Sequence, residues 1–375
     1  MIASTPVFFL SIIFVIIFIK SLEINVKTRF FEFVPSIVII YFVMMVFGNL
    51  KLFDQSMLAS LSGFKNYILS VMIILMLSKS DFRALYHMKI RLIASFFAAT
   101  ITIMFAFVLM WFLFKSFFPP MAYKAFGALS GSWIGGSANM IAVASAIGAD
   151  GDMLGFCLLS DTLNYAVWVM VLLALSGYKD RFNGWSNAKE NFSDTTFDER
   201  KSTLLVNILA LSVSFSLPFL LMFFADFLPH DGFMSGSFWL VVLSTAFGVG
   251  LSFTKVANAS KSSNVGFWLL YLVISITACS ASFSDFSKAP LYVFAGTFVI
   301  AVHAVLMVLY AKLTKTDLFC ISVSSLANIG GVASAPILAA SYSNSLVGVG
   351  VVMAMLGYMI GTFGGLVVSF ILGTM

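Results

Sequence analysis

Asp161 sits inside an apolar run, in Leu159-Ser-Asp-Thr-Leu-Asn164. A carboxylate in hydrocarbon costs from ~2.5 kcal/mol upward, so it faces a cavity, pairs, or carries a cation or proton. Asn164, three residues on, is expected to share its helical face. Two clusters of small and polar residues offer partners. The first reads Gly127-Ala-Leu-Ser-Gly-Ser-Trp-Ile-Gly-Gly-Ser-Ala-Asn139 and supplies Ser130, Ser132, Gly135, Gly136, Ser137 and Asn139. The second reads Ser324-Ser-Leu-Ala-Asn-Ile-Gly-Gly-Val-Ala-Ser-Ala-Pro336 and supplies Asn328, Gly330, Gly331 and Ser334. Glycine costs about 0.8–1.0 kcal/mol against alanine inside a helix, and a double glycine beside Asn and Ser is read as a helix break. Pro336 removes a further N–H and restricts Ala335. The N–H and C=O groups a break frees must be satisfied by protein, water or a ligand. Breaks near the midplane turn half-helix N-termini towards an anion and carbonyl ends towards Na⁺. Asp161, Asn139 and Asn328 are the candidate Na⁺ ligands. His303 is the other intramembrane titratable residue, either a packed hydrogen-bonding group or a proton relay.

The elements that must position these residues are dictated by composition. The 375 residues are 61% hydrophobic and 10% charged, where soluble proteins carry roughly 25% charged residues. The solvent is lipid. Apolar runs fall at about 6–20, 34–48, 67–79, 91–115, 122–147, 153–177, 203–227, 237–253, 264–283, 289–313, 317–341 and 345–373. The expected fold is an all-α integral membrane protein of about 12 transmembrane segments in two inverted repeats, with two discontinuous crossing helices. Met1 to Lys20 reads as a first membrane segment. The only long polar stretch, Lys179 to Lys201, reads as a solvated loop.

A shift of 195 residues lays Ile134-Gly135-Gly136 on Ile329-Gly330-Gly331 and brings the first six runs onto the last six. The first repeat is therefore 1–177, the linker 178–202 and the second repeat 203–375. Leu356 occupies the place of Asp161, so the acid belongs to one repeat only. Both breaks, Asp161 and His303 fall in the last three runs of each half. A core of 91–177 with 289–373, beside a panel of 1–90 with 203–288, is the expected arrangement.

The net charge of +5 comes from Lys and Arg in short loops, which suits cytoplasmic loops and excludes nucleic-acid binding. Basic residues follow runs one (Lys20, Lys27, Arg29) and three (Lys79, Arg83, Lys89, Arg91), then runs eight (Lys255, Lys261) and ten (Lys312, Lys315). The basic side thus flips between halves, as inversion requires. Two adjacent six-span units cannot be inverted, so the count is out by one, placed between 203 and 283. Asp285 and Lys288 read as loop residues. Cys157, Cys279 and Cys320 have no metal or disulfide spacing. No hydrolytic or nucleotide motif is present, so neither an enzyme nor a cofactor is expected.

Trp133-Ile-Gly-Gly-Ser-Ala-Asn139, Ser160-Asp161, His303, Ala327-Asn-Ile-Gly-Gly331 and Leu356-Gly-Tyr-Met-Ile-Gly361 resemble the YjcL-like family of bacterial and plastid membrane proteins, over nearly the whole chain. That family is grouped with the bile-acid/sodium symporters and cation–proton antiporters. The resemblance implies a panel beside a core with two crossing discontinuous helices, and an ion-binding acid in the place of Asp161. Val332 stands where the family pattern has a proline after the second Gly-Gly.

These readings converge on a Na⁺- or H⁺-coupled symporter of a small organic solute, anionic ones included, in a bacterial inner membrane, with a homodimer as the candidate assembly. A cation–proton antiporter is the alternative, favoured by Asp161. A non-transporting receptor or scaffold leaves the acid and the twin breaks unexplained.

Overall fold

Every apolar run carries helix. In the computed structural model these are α1 (Thr5–Asn25), α2 (Ser36–Asn49), α3 (Ser62–Ser78), α4 (Ile90–Phe114), α5 (Tyr123–Gly135), α6 (Ser137–Ala146), α7 (Gly151–Ser176), α8 (Leu204–Ala225), α9 (Gly236–Ser252), α10 (Ser262–Ala278), α11 (Ala289–Thr314), α12 (Leu318–Ile329), α13 (Gly331–Tyr342) and α14 (Val347–Thr374). The structure describes residues 4–25, 31, 34–78, 88–188, 204–230, 234–254, 262–281, 288–343 and 346–375. Lys27, Arg29, Lys79, Arg83, Lys255, Lys261, Asp285 and the linker beyond residue 188 lie outside them. Among the described residues α1, α4, α7, α8, α11 and α14 are long and apolar enough to cross a membrane, with shorter apolar helices between them. The chain is a polytopic helical membrane protein.

Side-chain caps mark several starts. Asp150 accepts from the Met153 N–H at 2.9 Å to open α7, and Asp317 from Cys320 at 2.8 Å to open α12. Such caps are worth about 1 kcal/mol each.

The two broken segments do not run on across the bundle, nor do they form crossing helices. Each folds back on itself. α5 stops at Gly136, whose φ of 86° and ψ of 172° cannot continue a helix, and α6 returns alongside it. The Lys124 ammonium at the base of α5 donates to the Gly148 carbonyl just beyond α6, at 3.2 Å. Gly131 makes the reversal possible, because a Cβ there would lie 2.9 Å from Val143 Cγ2 and 3.1 Å from the Asn139 carbonyl. In the second segment Gly331 has φ 60°. Tyr342 at the end of α13 packs on Phe319 at the start of α12, ring centroids 5.3 Å apart.

These hairpins correct both the count and the flip of the basic side. α8, α9 and α10 are each one helix, so the error does not lie between 203 and 283. Counting two fold-back elements as crossings produced it. With them returned, the connections after α1, α3, α9 and α11 all leave from one end of the bundle. At that end Lys20 lies over the Tyr271 ring of α10, Gly266 of α10 meets Met76 of α3, Arg91 interacts with Asp317, and Lys312 donates to the Trp185 carbonyl. The opposite end gathers Lys115 with the carbonyl of Met375 and Ser235 with that of Ala146, at 3.3 Å. Hairpin 1 (α5–α6) therefore enters from the opposite end and hairpin 2 (α12–α13) from the basic end.

The helices pack in two groups. α4–α7 interlock with α11–α14, and α1–α3 with α8–α10. The groups meet mainly through α6 and α14 against α9, α7 against α2 and α10, and α3 against α6.

Candidate functional site

The hairpin tips meet on α14. A Cβ on Gly357 would lie 2.7 Å from the Ile134 carbonyl oxygen and 3.2 Å from that of Ala327, the ends of α5 and α12. Tyr358 lies over both turns, its ring 3.1 Å from a Cβ built on Gly136 and its hydroxyl 3.9 Å from one on Gly331. Beside the tips, between the two helix groups, lies a cavity of about 780 Å³.

Ser132, Gly136, Ser137, Asp161, Gly330 and Gly331 line this cavity. They come from both hairpins and α7, and the structure brings them together as one wall. Tyr165, Tyr271, Tyr358, Phe31 and Phe267 add aromatic rings, and the remaining lining is mostly aliphatic. Glu23 lies at the rim, paired with Lys20. The described lining residues include no Lys or Arg.

Asp161 is partly exposed and keeps both oxygens bonded. Trp133 Nε1–H donates to Oδ1 at 2.8 Å and the Ser132 hydroxyl to Oδ2 at 3.1 Å. Each hairpin begins its second helix at the cavity, where Ser137 and Val332 line it, and the first N–H groups of a helix have no intrahelical partner.

The other candidates lie behind the lining. Ser130 donates to the Gly127 carbonyl at 2.7 Å. Gly135 packs against Gly361. Asn139 donates to the Gly135 carbonyl and accepts from Thr362, both at 2.6 Å. Asn328 donates to the Ser324 carbonyl at 2.9 Å and accepts from Thr100 at 2.8 Å. Ser334 is buried beside Gly330. Neither asparagine contacts Asp161, so the Asp161–Asn139–Asn328 set is not assembled into one shell. Asn164 turns away from Asp161 towards α11, donating to Ser160 and Val293 carbonyls and accepting from Thr297 at 2.8 Å. An i, i+3 spacing still leaves about 60° between side chains, enough to put the two on different neighbours.

His303 is fully buried between α4, α7 and α12. The Thr102 hydroxyl donates to the Ala99 carbonyl at 2.9 Å, which leaves it to accept from His303 Nδ1–H at 2.8 Å. Nε2 then accepts from Ser325 at 2.8 Å, whose oxygen takes the Trp168 N–H at 2.9 Å. This network assigns the neutral Nδ1–H tautomer and makes the ring a clamp between helices, with no bond to Asp161.

Tyr165 lies outside every motif, whereas Trp133, Gly357, Tyr358 and Gly361 lie within motifs that carry the family resemblance but belong to no expected site. Trp133 stood inside the first motif, and Gly350, Gly357, Gly361 and Gly365 repeat at seven and four residues, one face of a helix.

A family model described as protein of unknown function (DUF819) matches residues 9–375. No curated protein matches the chain.

Proposed function

The chain belongs to this DUF819 family, whose description assigns no activity, and we propose that it is a secondary active transporter working by alternating access. The carrying observation is the cavity between two helix groups that reaches both hairpin tips and one carboxylate. In this reading the chain is two inverted repeats, each of five crossings and one re-entrant hairpin. Five is odd, so the second repeat starts from the other face. Repeats of this kind form their sites where they meet. The core of α4–α7 and α11–α14 carries the site against a panel of α1–α3 and α8–α10, and kinship with the symporter and antiporter superfamily belongs to the same proposal.

The basic end faces the cytoplasm of a bacterial inner membrane by the positive-inside rule. The cavity extends towards that end, where Glu23, Pro35, Ser36 and Met76 line it. The solute is a small organic molecule whose anionic group meets the half-helix N-termini, and Asp161 takes the coupling Na⁺ or H⁺. Transport rather than catalysis suits a chain whose one buried histidine among the described residues, His303, is a clamp between helices.

Cation–proton antiport is the second reading, favoured by Asp161 as the one carboxylate on the inner wall among the described residues. The test is solute-dependent current in proteoliposomes under imposed Na⁺ or proton gradients, screened with carboxylates, amino acids and amines. Wild type should respond and Asp161→Asn should not. Equal currents in both, or none above empty liposomes for either cation, would defeat the proposal.

A further inference from the structure

Hairpin 1 is tied to α7 by three described hydrogen bonds. Near its base the Cys157 thiol donates to the Ala125 carbonyl at 2.9 Å. Near its tip the only two are those of Trp133 and Ser132 to Asp161. We propose that Trp133 is the positioning residue that links cation occupancy of Asp161 to the position of the hairpin 1 tip. The inference rests on the transport reading above and deepens it.

The two donors differ in chemistry. A serine hydroxyl both donates and accepts, so Ser132 can turn when the carboxylate gains a proton or a cation. An indole N–H only donates, and Trp133 is held rigidly, fully buried and packed on Phe107 with centroids 5.4 Å apart. Its bond to Asp161 is charge-assisted while the carboxylate is ionised and bare, about twice as strong as a neutral one. A proton or Na⁺ on Asp161 weakens that bond and repels the positive end of the indole dipole. The tip then keeps its other polar clamp, Thr362 to Asn139 at 2.6 Å, but loses grip on α7. By linkage, whatever holds the tip down weakens cation binding by the same factor. Occupancy of the ion site and mobility of the hairpin thereby become one equilibrium.

Trp133 is also a reporter. The protein carries six tryptophans, and Trp133→Phe keeps an aromatic ring against Phe107 while deleting the donor and leaving a small cavity. The probes are sodium chloride against choline chloride at fixed pH, and a pH titration in choline chloride alone. Cys157 and Tyr165 on α7, Tyr358 from α14, Tyr271 from α10 and Glu23 from α1 are the other titratable groups around Asp161 or along the cavity. Asp161→Asn separates their contribution. At least one probe should change the indole fluorescence of wild type, and the change should vanish in both Trp133→Phe and Asp161→Asn. A cysteine placed at Ser137, in the same backgrounds, should react faster with a small thiol reagent when the cation is present, and fast regardless of cation in Trp133→Phe. Ser132→Ala, which removes the other tip bond, serves if Trp133→Phe fails to fold, and should likewise raise Ser137 reactivity without cation. A cation response that depends on Asp161 but survives Trp133→Phe overturns the link and leaves the transport reading standing. No Asp161-dependent response to either cation overturns both.

Discussion

Substituting Gly361 with alanine is the sharpest test of how the hairpin tip is seated. A Cβ there would lie 2.7 Å from Gly135 Cα and 2.8 Å from Asn139 Cγ and Nδ2. Carbon atoms pack best at about 3.5–4.0 Å, so the methyl group overlaps both the backbone of α5 and the amide that accepts from Thr362. Neither neighbour is a free side-chain end. Overpacking of this kind costs ~1–3 kcal/mol, and each hydrogen bond of Asn139 that is displaced costs a further ~0.5–1.5 kcal/mol. Against this, alanine gains about 0.8–1.0 kcal/mol over glycine in helix propensity. The balance is a loss of ~1–3 kcal/mol. Gly250 in α9 supplies the control, because nothing lies within 4 Å of its Cβ position. Gly250→Ala collects the propensity gain without the clash. Cys157, Cys279 and Cys320 are all buried, so a thiol-reactive dye reads thermal unfolding in detergent without added labels. Gly361→Ala should melt a few degrees below wild type and Gly250→Ala at or above it. If Gly361→Ala melts at or above Gly250→Ala, the close seating of α14 on hairpin 1 is wrong.

Three further outcomes follow from the same packing. Single cysteines at Lys124 and Gly148, in a cysteine-free background, should both label from one side of the membrane with an impermeant thiol reagent, and ones at Lys315 and Ser343 from the other; labelling of either pair from opposite sides would mean the segments cross. His303→Ala should lower stability by ~2–5 kcal/mol in the same dye assay, since it leaves a cavity and strips Thr102 and Ser325 of a partner; a variant as stable as wild type would remove the clamp. Tyr41 of α2 donates to the Gly151 carbonyl and abuts Gly155, both of α7, so a cysteine pair at Tyr41 and Gly155 joined by a short bifunctional reagent should stop turnover reversibly; full transport with the link formed would mean the two helix groups do not move past each other.

The breaks and Asp161 were legible because lipid makes them expensive. A double glycine or a lone carboxylate in an apolar run has few explanations, and Gly136, Gly331 and Asp161 do lie on one cavity. The direction of the chain after each break was not legible in the same way. Periodicity and composition look alike whether a half-helix continues or returns. The available signal was arithmetic: a basic side that flips with an even number of spans is a contradiction, and two elements that do not cross resolve it. The helices that do not cross are those already singled out as broken, α5 with 13 residues and α6 with 10, each about half a membrane thickness at ~1.5 Å per residue. Asn164, His303, Asn139 and Asn328 were singled out by polarity alone. Polarity cannot tell a group that faces a cavity from one that pins two helices, since both satisfy the same hydrogen-bonding demand.

The chemistry is less symmetric than the backbone. The shift of 195 residues that relates the hairpins places Trp133 on Asn328 and Asp161 on Leu356. Where hairpin 1 grips α7 through a carboxylate, hairpin 2 is held by Thr100 on Asn328, a neutral pair deep in the bundle. A neutral pair does not respond to a passing cation, whereas a carboxylate does. Hairpin 2 nonetheless lines the same cavity, through Gly330, Gly331 and Val332. On the proposed transport reading, two equivalent hairpins would give no intrinsic reason for one of them alone to answer the ion. On that reading, the cavity-wall acid Asp161 beside hairpin 1 and the neutral Thr100–Asn328 pair on hairpin 2 would make only the first hairpin's grip depend on the ion. Tyr358, whose ring lies beside Gly136 and whose hydroxyl lies beside Gly331, is placed to carry a change at the first hairpin to the second.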